Sequence, residues 1–229
     1  MPGAWENAAD RVDVVVAIPY IGATPLTIDW VMNTINLGKP ANTRVVSWRG
    51  LPVDVARNRL VREALKLKAK WIFYLDAAVL PPPPIIPRLM GWKLPIVSGL
   101  YRSKLGYPAI WNRDPEVAHK YNPLSEWRGS GLVAVDVVPA GCLLIDTRVL
   151  EIIPEPWFEW GIDRKPDGLS EDFTFCQKAQ DYGFPIYVDL GAECHHEHLL
   201  PVGPRGQAED LVLLPKDKVV ILPQGKGEN

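Results

Sequence analysis

Residues 71–76 read Trp71-Ile72-Phe73-Tyr74-Leu75-Asp76. A short apolar run that stops on one carboxylate reads as a strand buried on both faces, as in a parallel sheet. Sheets of that kind take their ligands outside the carboxyl ends of the strands, which is where Asp76 stands. Upstream, Val12 to Pro19 is nearly all apolar and rich in β-branched residues, and Thr43 to Trp48 is a second short strand. Pro25 to Leu37 is expected to be helical and to stop at Gly38. Asp54 can cap a helix running to about Lys68, with Ala56, Leu60, Ala64 and Leu67 on one face. Downstream, prolines 81–84 precede a short helix near Ile85 to Trp92, and Pro95 to Gly99 is a further strand. This β-α-β-α-β-α-β order predicts an α/β fold: one domain with a mostly parallel central sheet flanked by helices and joined by right-handed crossovers.

The second half is less regular. Tyr107 to Trp111, Leu132 to Asp136 and Gly141 to Asp146 are expected as strands. Ser170 to Tyr182 reads as a helix with Ser170 as its N-cap, Phe173, Cys176 and Ala179 inward, and Gly183 as its stop. Pro185 to Asp189 is a last core strand. Residues 201–229 form a separate extension, in which Leu211 to Leu214 and Val219 to Leu222 suggest a hairpin before a disordered tail. A hairpin with a free edge leads us to expect a homodimer.

Composition narrows the class. The 229 residues are 47% hydrophobic and 23% charged, as in a soluble globular fold. A net charge of −2 recommends neither nucleic acid nor an anionic membrane as partner. No apolar run reaches the roughly 20 residues of a membrane span, and Met1 to Asn7 lacks the pattern of a signal peptide. Three scattered cysteines, Cys142, Cys176 and Cys194, suggest neither a disulfide framework nor a structural zinc site. A reduced, cytoplasmic protein is expected. There is no G-x-G-x-x-G after the first strand and no P-loop signature, which disfavours a dinucleotide Rossmann domain and a P-loop NTPase.

Several residues can carry chemistry, each with a plainer reading beside it. Asp76 either caps a turn or meets a metal or ribose at the mouth of a site. His195-His196-Glu197-His198 gathers three of the four histidines, as a surface turn or as metal ligands. Glu171 and Asp172 open a helix, where carboxylates are favoured without any catalysis; one of them can also be a general base. Arg57 and Asn58 are either solvated or turned toward a nucleotide. Arg102 and Lys104 follow the fourth strand and can neutralise a diphosphate. Pro19 and Tyr20 end the first strand, and Tyr20 can stack on a base.

Seven stretches, in order, resemble the GT-A glycosyltransferases (family 2-like). Val55-Ala56-Arg57-Asn58-Arg59-Leu60-Val61, the run 71–76, Pro81 to Pro84 and Ile96-Val97-Ser98-Gly99-Leu100-Tyr101 are similar to their nucleotide-binding half, about residues 12–105. Pro139-Ala140-Gly141-Cys142-Leu143-Leu144-Ile145 is similar to the acceptor-side strand, in an acceptor half of about 106–200. Ser170-Glu171-Asp172 looks like the family's E-D motif, and Tyr187-Val188-Asp189 with His196 looks like its closing motif. The resemblance covers about residues 12–198. It implies transfer of a sugar from a nucleoside-diphosphate sugar to an acceptor hydroxyl, with inversion by single displacement. Asp172, ahead of Glu171, would be the base, and a Mn²⁺ or Mg²⁺ ion would sit at Asp76 with His196 or His198.

One departure from the family bears on that ion. The D-x-D pattern would put an acid at position 78, and this chain reads Asp76-Ala77-Ala78. Three readings stay open: a weakened metal site, a metal-independent enzyme, or a deliberate alteration. The competing functions are a nucleotide-sugar binding protein without activity, and a metal-dependent hydrolase or nucleotidyltransferase built on the histidines.

Overall fold

The computed structural model describes residues 12–22, 25–102, 107–117, 120–124, 131–161 and 169–197. Lys104, His198 and the extension from residue 201 lie outside them. The first half alternates as expected: β1 (Val14–Tyr20), α1 (Ile28–Asn36), β2 (Thr43–Arg49), α2 (Val53–Lys66), β3 (Trp71–Leu75), β4 (Val79–Leu80), α3 (Ile85–Gly91) and β5 (Ile96–Leu100). The second half carries β6 (Trp111–Arg113), β7 (Tyr121–Pro123), β8 (Leu132–Val135), β9 (Cys142–Asp146), α4 (Thr147–Ile152), α5 (Glu171–Asp181), β10 (Ile186–Glu193) and β11 (His195–His196).

Seven strands form the main sheet in the order β2-β1-β3-β9-β5-β10-β8. β1 pairs in parallel with β2 and β3, and β10 pairs in parallel with β5. β9 is antiparallel to both β3 and β5, and β8 is antiparallel to β10. The strands β2, β1, β3, β5 and β10 therefore share one direction, and the sheet is mixed but mostly parallel. β3, β5 and β9 are buried at every position, which is why their sequences are continuously apolar rather than alternating. Alternate side chains feed two cores. Val15, Ala17, Ile72, Tyr74 and Leu143 pack on one face with α2, α4 and α5. Val14, Val16, Phe73, Leu75 and Leu144 pack on the other with Trp30 of α1 and Ile85, Ile86 and Leu89 of α3.

Several local expectations need correction. Pro52, not Asp54, holds the N-cap position of α2, and no side chain caps that helix. The helix ends at Lys66, and its backbone turns over at Lys68, where φ is 50°. The strand expected from Tyr107 starts only at Trp111, after an isolated bridge between Arg102 and Pro108. Ser170 precedes α5 as expected, but its hydroxyl bonds the Asp172 carboxylate and caps no backbone amide. Phe173 is only half-buried and meets the rings of Trp111 and Tyr121 at 4.9 and 5.1 Å. Asp189 does not end its strand: β10 runs on to Glu193, and Asp189 is fully buried. All three cysteines are free. No helix of the described residues is long and apolar enough to cross a membrane.

Candidate active site

Arg57 is the centre on which the candidate residues converge. It lies in the second turn of α2 and is 3% exposed. Its Nη2 donates to Asp76 Oδ1 and Oδ2 at 3.1 and 3.3 Å, its Nε to Glu171 Oε1 at 3.1 Å, and its Nη1 to the Ala140 carbonyl at 3.1 Å. The guanidinium carbon lies 5.4 Å from the ring centre of Tyr74 and 5.8 Å from that of Phe158. One side chain thus ties the end of β3, the entry to β9 and the start of α5 together. A buried cation needs such partners, since the cost of removing it from water is large. Burial works against its charge, but Asp76, Glu171 and Asp172 outweigh this and hold Arg57 firmly protonated.

Asp76 follows β3 at the carboxyl end of the parallel strands. Its amide donates to the Gly141 carbonyl at 3.0 Å, and its own carbonyl accepts the Trp30 indole N–H at 2.9 Å. The carboxylate keeps a third of its surface open (34%). Gly141 is there because nothing larger fits: a Cβ on it would lie 2.5 Å from the Tyr101 hydroxyl and 3.0 Å from Asp76 Oδ2. The Gly141 amide donates to that hydroxyl at 3.2 Å. Burial, followed by the charges of Asp76 and Asp172, pushes the Tyr101 phenol well above its ordinary value.

Glu171 and Asp172 open α5 on the far side of Arg57. Glu171 is buried, and Asp172 is half-buried, accepting from the Phe173 amide at 3.0 Å. Burial raises both carboxyls, and the neighbouring Asp172 charge raises Glu171 further.

His196 reaches the same neighbourhood by a route the sequence did not announce. β11 pairs with β4, setting His196 opposite Val79, and the Glu197 amide donates to the Ala78 carbonyl at 2.8 Å. His196 Nδ1 lies 2.9 Å from the Arg102 carbonyl, and its ring meets Tyr101 edge-on at 5.3 Å. Arg102 pairs with Glu193 at 3.3 Å on an exposed surface. Pro19 is buried within β1, while Tyr20 at its end lies 5.8 Å from the Arg49 guanidinium. Asn58 is placed differently. Its amide N donates to the carbonyls of Asp54 and Phe158, and its oxygen accepts the amides of Trp157 and Phe158. All of its polar atoms hold one loop segment to α2. Tyr101, Gly141 and Trp30 join the site without having been singled out. For Gly141 a signal existed: a glycine placed directly before an apolar strand marks a close approach.

The described residues do not fit a resident divalent ion. Among them no group of three or more His, Cys, Asp or Glu side chains converges on a common point where an ion could be held. Asp76 is the sole acid of its turn, and both of its oxygens face Arg57.

No family model matches the chain, and no curated protein matches it at a significant level. Solved structures do match. A197 from STIV is 19% identical, aligned over 94% of this chain and 100% of its own, with a TM-score of 0.61. GalNAc-T7, solved with UDP, GalNAc and Mn²⁺, is 15% identical over 82% of this chain and 44% of its own, with a TM-score of 0.51. At such identities the likeness is one of fold: a single GT-A-like α/β domain.

Proposed function

We propose that this chain is a glycosyltransferase that moves a sugar from a nucleoside-diphosphate sugar to an acceptor hydroxyl. One observation carries the reading: Asp76, Glu171 and Asp172 gather around buried Arg57 at the carboxyl end of a mostly parallel sheet, where such sheets take ligands. The GT-A-like fold supports the same class of donor.

The residues divide by exposure. Glu171 is spent on Arg57 and is closed to solvent. Asp172 keeps part of its surface open, which makes it the better base. In a single displacement the acceptor oxygen attacks the anomeric carbon as Asp172 takes its proton. The bond to the diphosphate oxygen breaks, and the diphosphate leaves with the electron pair. Arg57 keeps Asp76 in place from behind. Pro19 and Tyr20 at the end of β1 suit the nucleoside, and Arg102 with Lys104 suits the diphosphate.

The test is release of nucleoside diphosphate from a panel of UDP-, GDP- and dTDP-sugars, with and without candidate acceptors. Loss of a general base costs about 10²–10⁴-fold in rate. Asp172→Asn is therefore expected to lose at least a hundredfold in turnover while binding nucleotide as before. Retention of most turnover would return Asp172 to a helix-opening role.

A further inference from the structure

The turn after β3 is short of ligands for a cation and already holds one. Both oxygens of Asp76 lie within 3.3 Å of Arg57 Nη2. Positions 77 and 78 are alanines and offer no side-chain oxygen. The backbone is largely spoken for as well. The Asp76 carbonyl accepts from Trp30 Nε1 and the Val79 amide, and the Ala78 carbonyl accepts from Glu197. Glu197 Oε2 in turn takes the Thr27 hydroxyl at 2.7 Å. Mg²⁺ at a phosphate site is held by one or two carboxylates together with substrate phosphates and waters, and Asp76 is the one carboxylate this turn offers.

Arg57 cannot readily withdraw to free Asp76. It is closed to solvent and pinned on its other nitrogens by Glu171 and the Ala140 carbonyl. Turning it away would leave a buried guanidinium short of a counter-charge. Left in place, it repels any dication brought to the free edge of Asp76.

Building on the donor reading above, we infer that this chain binds its nucleoside diphosphate without a divalent cation, Asp76 being held by Arg57 instead. The phosphates then need a cation from the protein. Arg102 follows β5 at the same edge and is 47% exposed. Its pairing with Glu193 is a surface one, weak enough to yield to phosphate oxygens.

The experiment is calorimetry of the full chain with UDP, GDP, ADP and dTDP, once in excess EDTA and once in millimolar Mn²⁺. At least one nucleotide is expected to bind with Kd values that agree within about twofold between the arms. Tightening by tenfold or more in Mn²⁺ overturns the inference and leaves the donor reading standing. No binding in either arm overturns both. A second measurement needs no activity: the paramagnetic resonance signal of free Mn²⁺ with nucleotide should not fall further when protein is added. A further fall means that the protein supplies ligands and sinks the inference.

Discussion

A methyl group at position 141 would lie 2.5 Å from the Tyr101 hydroxyl, with the Tyr101 ring and Asp76 Oδ2 both at 3.0 Å. The neighbours are buried or ion-paired and have little room to retreat. Overpacking of this kind typically costs 1–3 kcal/mol. Gly141→Ala should therefore lower stability by about 2 kcal/mol in a denaturant melt. Tyr101→Phe removes the atom that clashes most and should recover part of the loss in the double variant, since touching residues couple. Strict additivity of the two changes would show that the clash is relieved elsewhere. At this scale much of the site was legible. Asp76 stands out because it ends an apolar strand, and Glu171-Asp172 because they open a patterned helix. What joins them was not legible, because Arg57 meets Glu171 across 114 residues of sequence. A polar residue in a helix reads as solvated until its distant partner is known, and the same holds for Asn58, whose loop partner is 100 residues away.

Among the elements, the apolar runs that became β1, β3 and β5 were plain, because strands buried on both faces have no other composition to choose. The direction of β9 was not plain. An apolar run such as Cys-Leu-Leu-Ile reads alike whichever way it points, so its antiparallel insertion between β3 and β5 emerges only with the register. α4 was missed because its 6 residues give too little periodicity, although Asp146 caps it by accepting the Arg148 amide at 3.0 Å. The hydrogen bonds between α2 and the backbone of Trp157–Phe158 run through the side-chain amide of Asn58. Asn58→Ala would strand two buried backbone N–H groups, at about 3 kcal/mol in all. Equilibrium unfolding should show that loss, whereas unchanged stability would mean that the segment finds other partners.

For the whole molecule, two sets of carboxyls pull stability in opposite directions with pH. Burial raises Glu171 and Asp172, so the folded chain keeps protons that the unfolded chain has already lost. Stability should then fall as pH climbs from the ordinary carboxylate range through their raised values. Asp189 is the reverse case. Burial would raise it, but hydrogen bonds from Arg88 and Trp92 outweigh this and hold it low. Its contribution is present above the ordinary value and is lost as pH falls through the lowered one. Urea midpoints across pH should show both limbs. Glu171→Gln should flatten the upper limb whatever it does to the midpoint, and an unchanged slope would remove Glu171 as its source. The insertion of β9 also bears on how the chain is made. Residues 71–75 and 96–100 leave the ribosome early, but the strand that separates them is 142–146, and β10 ends only at 193. The sheet that carries Asp76 thus has no finished form until most of the described chain has been synthesised. A nascent chain stalled at residue 130 should be cut freely by protease, and one stalled well beyond residue 200 should resist.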